Sequence, residues 1–433
     1  MALSFTPHAE RAGVLAELHV RPFLAYPAPH RFHHFAFVIE PAMADAEREA
    51  FARLAGALGV APPPPGARFH LVTVGAWQLR WELHTEFVSY LWSTTDGAET
   101  PFSRSAADIP AAFHGHVPAG TLLVAVDLAL TTAALADTNL EALFERSTLS
   151  VITAAEGAAL VATDFRARDD GLVRFVVAAS TAMTPTRAGR LVQRLLELET
   201  YRCLALLGLS AARQADPLVR RIEAELLRLS SSMASSRGAE ANARLLGELT
   251  DLSARLEASI AAGAFRLAAT RAYAELVRAR VEVIRETEHA GYMSFSRLLR
   301  RRFNPAIATC AAIESRQRAL SERLGHAVDL LRTRIQSDLE AQNGALLAAM
   351  NRRSRLQLRL QQTVEGLSIA AISYYIVGLV GYLAKGAKDA HVLPAALSPE
   401  IVMALAVPVV AGGLYLILER ARRAWHRDDA ESH

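Results

Sequence analysis

The hydrophobic pattern changes character three times along the chain. Up to about residue 182, short apolar runs alternate with polar residues and turn formers, the pattern of strands joined by tight connections. Strands are expected over 32–40, 68–74, 77–83, 86–92, 121–128, 149–154, 159–165 and 172–179. The last two are joined by a turn at Arg168-Asp169-Asp170-Gly171. A helix over 43–58 precedes Gly59, and four prolines at 62–65 form a stiff extended break. From Thr184-Pro185, an N-cap hydroxyl followed by proline at the first helical position, the period becomes helical and stays so. Apolar residues at three- and four-residue spacing predict helices over 185–208, 217–235, 239–290 and 305–365. Breaks are expected at Gly208, Asp216-Pro217, 230–236, Gly291 and Asn304-Pro305. Helices of this length suggest a stalk or coiled coil.

The third change is to two uncharged runs, 366–384 and 401–418. Both approach the ~20 residues needed to cross a hydrocarbon core, and neither carries a polar stripe. Pro408 and Gly412-Gly413 suit a membrane helix better than a soluble one. The helix from Pro305 is expected to continue into the first run. Arg352, Arg353, Arg355 and Arg359 precede that run, and Arg420, Arg422, Arg423 and Arg427 follow the second. The short connection, 385–400, balances two lysines against Asp389 and Glu400. Positive-inside bias therefore predicts two passes with both termini cytoplasmic. The expected architecture is an α+β N-terminal domain (1–182), a long α-helical stalk or coiled coil (183–365) and two C-terminal transmembrane helices (366–384 and 401–418). An outer loop (385–400) joins the helices and a basic tail (419–433) ends the chain.

Composition narrows the function classes. The 433 residues are 52% hydrophobic with a formal net charge of +3, so the chain is not built to wrap a polyanion, and no nucleic-acid partner is expected. Nearly all basic residues are arginine; the lysines are Lys385 and Lys388. Cys203 and Cys310 sit in separate helical patterns and form no disulfide framework or zinc set. The first twenty residues lack a charged stretch followed by an apolar one, so no signal peptide is expected and the body is placed in the cytoplasm.

No dinucleotide fingerprint, Walker A sequence, zincin motif or nucleophile elbow is present, so the chain is expected not to be an enzyme, with no cofactor. What stands out is a charged ladder, RWELHTEF, at 80–87. In an extended chain Arg80, Glu82, His84 and Glu86 share one face. His19 and Arg21 repeat the two-residue spacing. These six residues are a candidate ion or anionic-ligand site: carboxylate and imidazole suit a divalent ion, arginine a carboxylate or phosphate. The competing reading is a helix-covered or solvated sheet face held by cross-strand charge pairs. His114 and His116, in FHGH, could be ligands or ordinary loop histidines. In the first apolar run Glu365, Ser368, Ile372, Tyr375, Leu379 and Tyr382 lie roughly on one face, suited to a pore lining in an oligomer. The same stripe could serve helix–helix contact, with Gly378 and Gly381 allowing close approach. The expected partners are a lipid bilayer and further copies of the chain, joined through the long helices.

RWELHTEF, RLVQRLLELETYRCLALLGL (190–209) and VEGLSIAAISYYIVGLVGYLAKG (364–386), in that order, resemble the bacterial membrane-anchored domain-of-unknown-function family 3422. The likeness spans essentially the whole chain and implies a bacterial inner-membrane protein; it implies no reaction. In architecture the chain is also similar to CorA-type metal-ion transporters, pentamers whose first span lines the pore. Their Gly-Met-Asn signature is replaced here by Gly381-Tyr382-Leu383-Ala384-Lys385-Gly386. Two functions from different classes follow: a non-catalytic scaffold or sensor with a ligand- or partner-binding body, or an oligomeric CorA-like channel lacking that signature.

Overall fold

In the computed structural model, residues 8–9, 11, 23–103, 105–132, 140–389 and 398–428 are described. The chain divides into two units, 1–236 with 243–330, and 237–242 with 331–433.

The first unit is built on a nine-stranded sheet. Its strands are β1 (His30–Val38), β2 (Phe69–Val74), β3 (Trp77–Leu83), β4 (Phe87–Thr94), β5 (Thr121–Thr131), β6 (Ser150–Ala154), β7 (Ala159–Ala167), β8 (Val173–Ala179) and β9 (Thr287–Glu288). Their spatial order is β2-β3-β4-β1-β5-β8-β7-β6-β9, with β5 and β8 as the parallel pair. One face of the β1–β4 half packs against α1 (Ala44–Ala57) through Phe51, Leu54, Trp81, Tyr90 and Trp92. The other face is covered by α2 (Pro185–Ser235) and α3 (Ala239–Ile284), which share with the sheet a core that includes Phe32, Leu128, Phe175, Leu195, Leu204 and Val277. Because both faces are covered, every residue of β4 is buried.

The N-cap prediction at Thr184 corresponds to a hydrogen bond from Arg187 N to Thr184 Oγ1 at 3.4 Å. Two expected breaks are corrected: α2 runs unbroken through Gly208 and Pro217. Gly208 is a contact point, since a Cβ there would overlap Thr270 Oγ1 on α3. Pro217 removes one helical hydrogen bond. The helix persists because Val219, Ile222 and Leu226 beyond it are buried and Asp216 accepts from Arg316 at 2.8 Å. A third correction is at the end of α3, which stops at Ile284 instead of 290. Arg285 turns left-handed, and Thr287 and Glu288 pair with β6 at the sheet edge. Glu286 then accepts from the backbone N–H groups of Phe295 and Ser296. The following helix, α4 (Asn304–Asp389), continues directly from helical turns that begin at Phe295, so the break expected at Asn304-Pro305 is absent. Within the first unit the three long helices are tied together in the same chain. Arg228 meets Glu248 at 2.8 Å, Arg316 meets Glu223 at 2.6 Å, and Arg271 meets Glu314 at 2.7 Å.

The second unit contains the later part of α4 and helix α5 (Pro399–Asp428). Two windows here, one within Phe295–Asp389 and one within Pro399–Ile417, are long and apolar enough to cross a membrane, and almost nothing covers them. Gly381 meets Met403 so closely that a Cβ would overlap the sulfur, whereas Gly378 has open space around it. Of the two glycines expected to permit close approach, Gly381 makes one.

Candidate functional site

Strand alternation explains where the charged ladder goes. In β3, Leu79, Trp81 and Leu83 enter the core against α1, which leaves Arg80 and Glu82 on the α2 face. The strand ends at Leu83, and the chain turns so that His84 N donates to Phe87 O at 2.8 Å. His84 then stacks on Phe87 with ring centroids 3.9 Å apart. Arg80 Nη2 lies 3.4 Å from Glu82 Oε2, with both side chains buried. Glu86 pairs with Arg266 of α3 at 3.1 Å. His19 and Arg21 lie outside the described residues.

Facing this ladder, His34 of β1 meets Thr200 of α2, Nε2 to Oγ1, at 3.0 Å. The Thr200 hydroxyl donates to Leu196 O at 2.8 Å, so it accepts from His34, which fixes the imidazole proton on Nε2. Burial, and then the Arg80 charge, push the His34 pKa down to about 3, so this ring is neutral. Arg80, Glu82, His84, Thr200 and Glu197 line a cavity of about 30 Å³, the room one water needs. Arg80 Nε, Glu82 Oε1 and Gln193 Oε1 are buried without a protein partner. Arg80, Glu82 and His84 thus share one covered space too small for a phosphate or dicarboxylate, while Glu86 is held by Arg266. Among the described residues no three His, Cys, Asp or Glu side chains converge as metal ligands.

Two polar clusters escaped the sequence reading. On the α1 side of the sheet, Arg31 of β1 holds Asp127 of β5 through Nε at 3.2 Å and Nη2 at 2.8 Å. His33 Nδ1 lies 3.8 Å from the same carboxylate. Burial lowers the His33 pKa to about 4, and Asp127 opposes that shift. The available signal was one aspartate inside the apolar run TLLVAVDLALT. In the second cluster, Glu47 of α1 is fully buried and accepts from Trp81 Nε1 at 3.2 Å, from the Tyr90 hydroxyl and from Ala119 N at 2.8 Å. The Tyr90 hydroxyl also meets His116 Nε2 at 2.8 Å. The FHGH histidine is therefore part of a buried chain, and burial lowers its pKa to about 4.

The thiols are not poised for attack. Cys203 donates to Glu199 Oε1 at 3.5 Å, and that carboxylate is gripped twice by Arg202, at 2.8 and 2.6 Å. Burial, then the Glu199 charge, push the Cys203 thiol well up, so it stays protonated.

In the second unit, Ser368 Oγ donates back to Val364 O at 2.9 Å, leaving little polarity on its face of α4. Ile372, Tyr375, Leu379 and Tyr382 continue that face uncovered, Tyr382 being 80% exposed. Glu365 lies half-buried one turn before Ser368.

Comparison with known proteins adds the lineage. A family model described as "Protein of unknown function (DUF3422)" matches residues 6–425. Among curated proteins, none matches the sequence.

Proposed function

Because the chain belongs to the DUF3422 family, whose description carries no activity, we propose a function from its own geometry. It is a membrane-anchored protein whose α/β body works as a non-catalytic scaffold or sensor. The observation that carries this reading is the pair of apolar helix windows left uncovered by the rest of the chain. In water such surface is strongly disfavoured, at about 25 cal/mol per Å². A bilayer removes that cost without any protein partner. The arginines flanking the two windows support a bacterial inner-membrane location with both termini on the cytoplasmic side. A non-catalytic role for the body is supported by its buried ion pairs, Arg31 with Asp127 and Arg80 with Glu82, and by a thiol held protonated.

The test is membrane extraction combined with side-specific labelling. The protein should resist alkaline carbonate extraction. A Ser398→Cys variant should react with a membrane-impermeant maleimide in spheroplasts, and a Ser354→Cys variant only after lysis. Release by carbonate, or the reverse labelling pattern, would overturn the topology.

Self-association is part of the proposal. Along α4, Leu339, Leu346, Leu360 and Leu367 fall on one seven-residue series, all exposed, with Arg353 interrupting it. That spacing suits a seam between copies. The uncovered stripe Ser368, Ile372, Tyr375, Leu379 and Tyr382 keeps the CorA-like channel as a second reading. Lys385, where that family has its selectivity signature, would repel cations. Light scattering on detergent-solubilised protein, corrected for bound detergent, separates the two, since two spans enclose a pathway only when several copies surround an axis. A monomer or dimer would remove the channel reading.

A further inference from the structure

The first unit holds a second, larger cavity, away from the charged ladder. It has a volume of about 430 Å³ and is lined from three elements. The β6–β7 turn contributes Ala155 and Glu156. The opening turns of α2 contribute Arg187, Arg190 and Arg194, and the end of α3 contributes Arg285. The spacing of the three α2 arginines explains their convergence, because residues three, four and seven apart share a helix face. Like charges so placed repel each other, and here four guanidinium groups face one carboxylate.

That carboxylate is already shared. Glu156 accepts from Arg285 Nη1 at 2.6 Å and from Arg187 Nη2 at 3.4 Å, while Arg187 Nη2 also donates to Ala155 O at 2.8 Å. Arg194 gives one N–H to Val283 O at 3.2 Å, and Arg190 lies over the Phe23 ring at 5.4 Å. Among the described residues neither Arg190 nor Arg194 forms a salt bridge to a carboxylate in this cavity. Burial, then Arg190 and Arg280, lower the Arg194 pKa, and Glu197 opposes the shift. Ala155, Glu156 and Arg285 all hold left-handed φ values, of 51°, 57° and 51°, without being glycine. The first two belong to the tight β6–β7 turn and the third to the end of α3.

We propose that this cavity binds a phosphate group carrying two or more negative charges, borne either by a free small molecule or by a lipid headgroup. The guanidinium fork matches phosphate oxygens in geometry as well as charge. The volume fits a small-molecule site, with Glu156 acting as the spacer that keeps Arg187 and Arg285 in place. The proposal rests on the reading of the body as a binding module and names what it binds.

The test is isothermal titration of the full-length, detergent-solubilised protein with inorganic pyrophosphate and, in parallel, with monomeric short-chain phosphatidic acid. Binding of pyrophosphate identifies a free phosphorylated ligand; binding of the lipid alone identifies a headgroup. Arg190→Gln and Arg194→Gln should each weaken binding about tenfold or more, and Arg190→Glu should abolish it. Arg190→Lys should retain part of it. Arg190 is exposed and Arg194 half-buried, so an unchanged unfolding midpoint verifies that these variants keep the fold. No binding of either probe at millimolar concentration, or an Arg190→Glu variant that binds like the parent, overturns the site. Release of inorganic phosphate from bound pyrophosphate would leave the site standing and sink the non-catalytic reading of the body, so the two failures are distinguishable.

Discussion

Replacing Asp127 by alanine tests whether the sheet tolerates a lone buried charge. Arg31 and Asp127 are joined by two hydrogen bonds, and their side chains are 1% and 3% exposed. Arg31 Nη1 is already buried without a partner. Removing the carboxylate leaves the guanidinium charge in the interior with nothing to offset its desolvation. Breaking such a pair costs about 3–5 kcal/mol. At roughly 2 °C per kcal/mol, suited to a large domain, the unfolding midpoint should fall by about 6–10 °C. The assay is thermal unfolding followed by tryptophan fluorescence, since Trp77 lies 5.8 Å from His33 in the same cluster. The double variant Arg31→Met/Asp127→Leu removes both charges at similar volume and should recover most of the loss. A midpoint for Asp127→Ala within 2 °C of the parent would refute the argument. So would a double variant no more stable than the single one, because the cost would then belong to packing and not to charge.

Acidification should destabilise the body before its ordinary carboxylates titrate. The pKa values of His30, His33 and His34 are lowered to about 4, about 4 and about 3, in each case chiefly by burial. The unfolded chain, with histidine near 6.5, therefore binds more protons below that pH, and stability is lost as pH falls from about 6.5 towards 4. Each ring contributes a slope on the order of 1 kcal/mol per pH unit; an unfolding midpoint unchanged between pH 7 and pH 5 would contradict this, and His34→Gln should flatten the dependence. Gly208→Ala should lower the midpoint, with an overpacking cost of about 1–3 kcal/mol partly offset by about 1 kcal/mol of helix propensity. Adding Thr270→Ala should relieve the overlap but leave Ala205 O without its 3.1 Å donor, so rescue is expected to be partial. Tyr90→Phe removes a donor from buried Glu47 and a partner from His116, and should cost about 1–3 kcal/mol in urea unfolding.

What the sequence determined by itself is whatever depends on local period and length. The alternation of β3 put Arg80 and Glu82 on one face. Thr184-Pro185 started a helix, and the two uncharged runs became helices apolar enough for a bilayer. None of these needs a distant residue, because strand pleat, helix period and capping act within a few positions. Tertiary structure decided the rest. Gly208 and Pro217 look like breaks until Thr270 and Arg316, sixty-two and ninety-nine residues away, are brought against α2. Asp127 is one oddity in an apolar strand until sheet order sets β1, and with it Arg31, beside β5. The arginine cavity needs a hairpin turn, one helix start and another helix end to meet: spacing puts Arg187, Arg190 and Arg194 on one helix face, but nothing local joins that face to Glu156 and Arg285. Charge pairing and concavity depend on which elements pack together, and spacing along one chain carries no record of that.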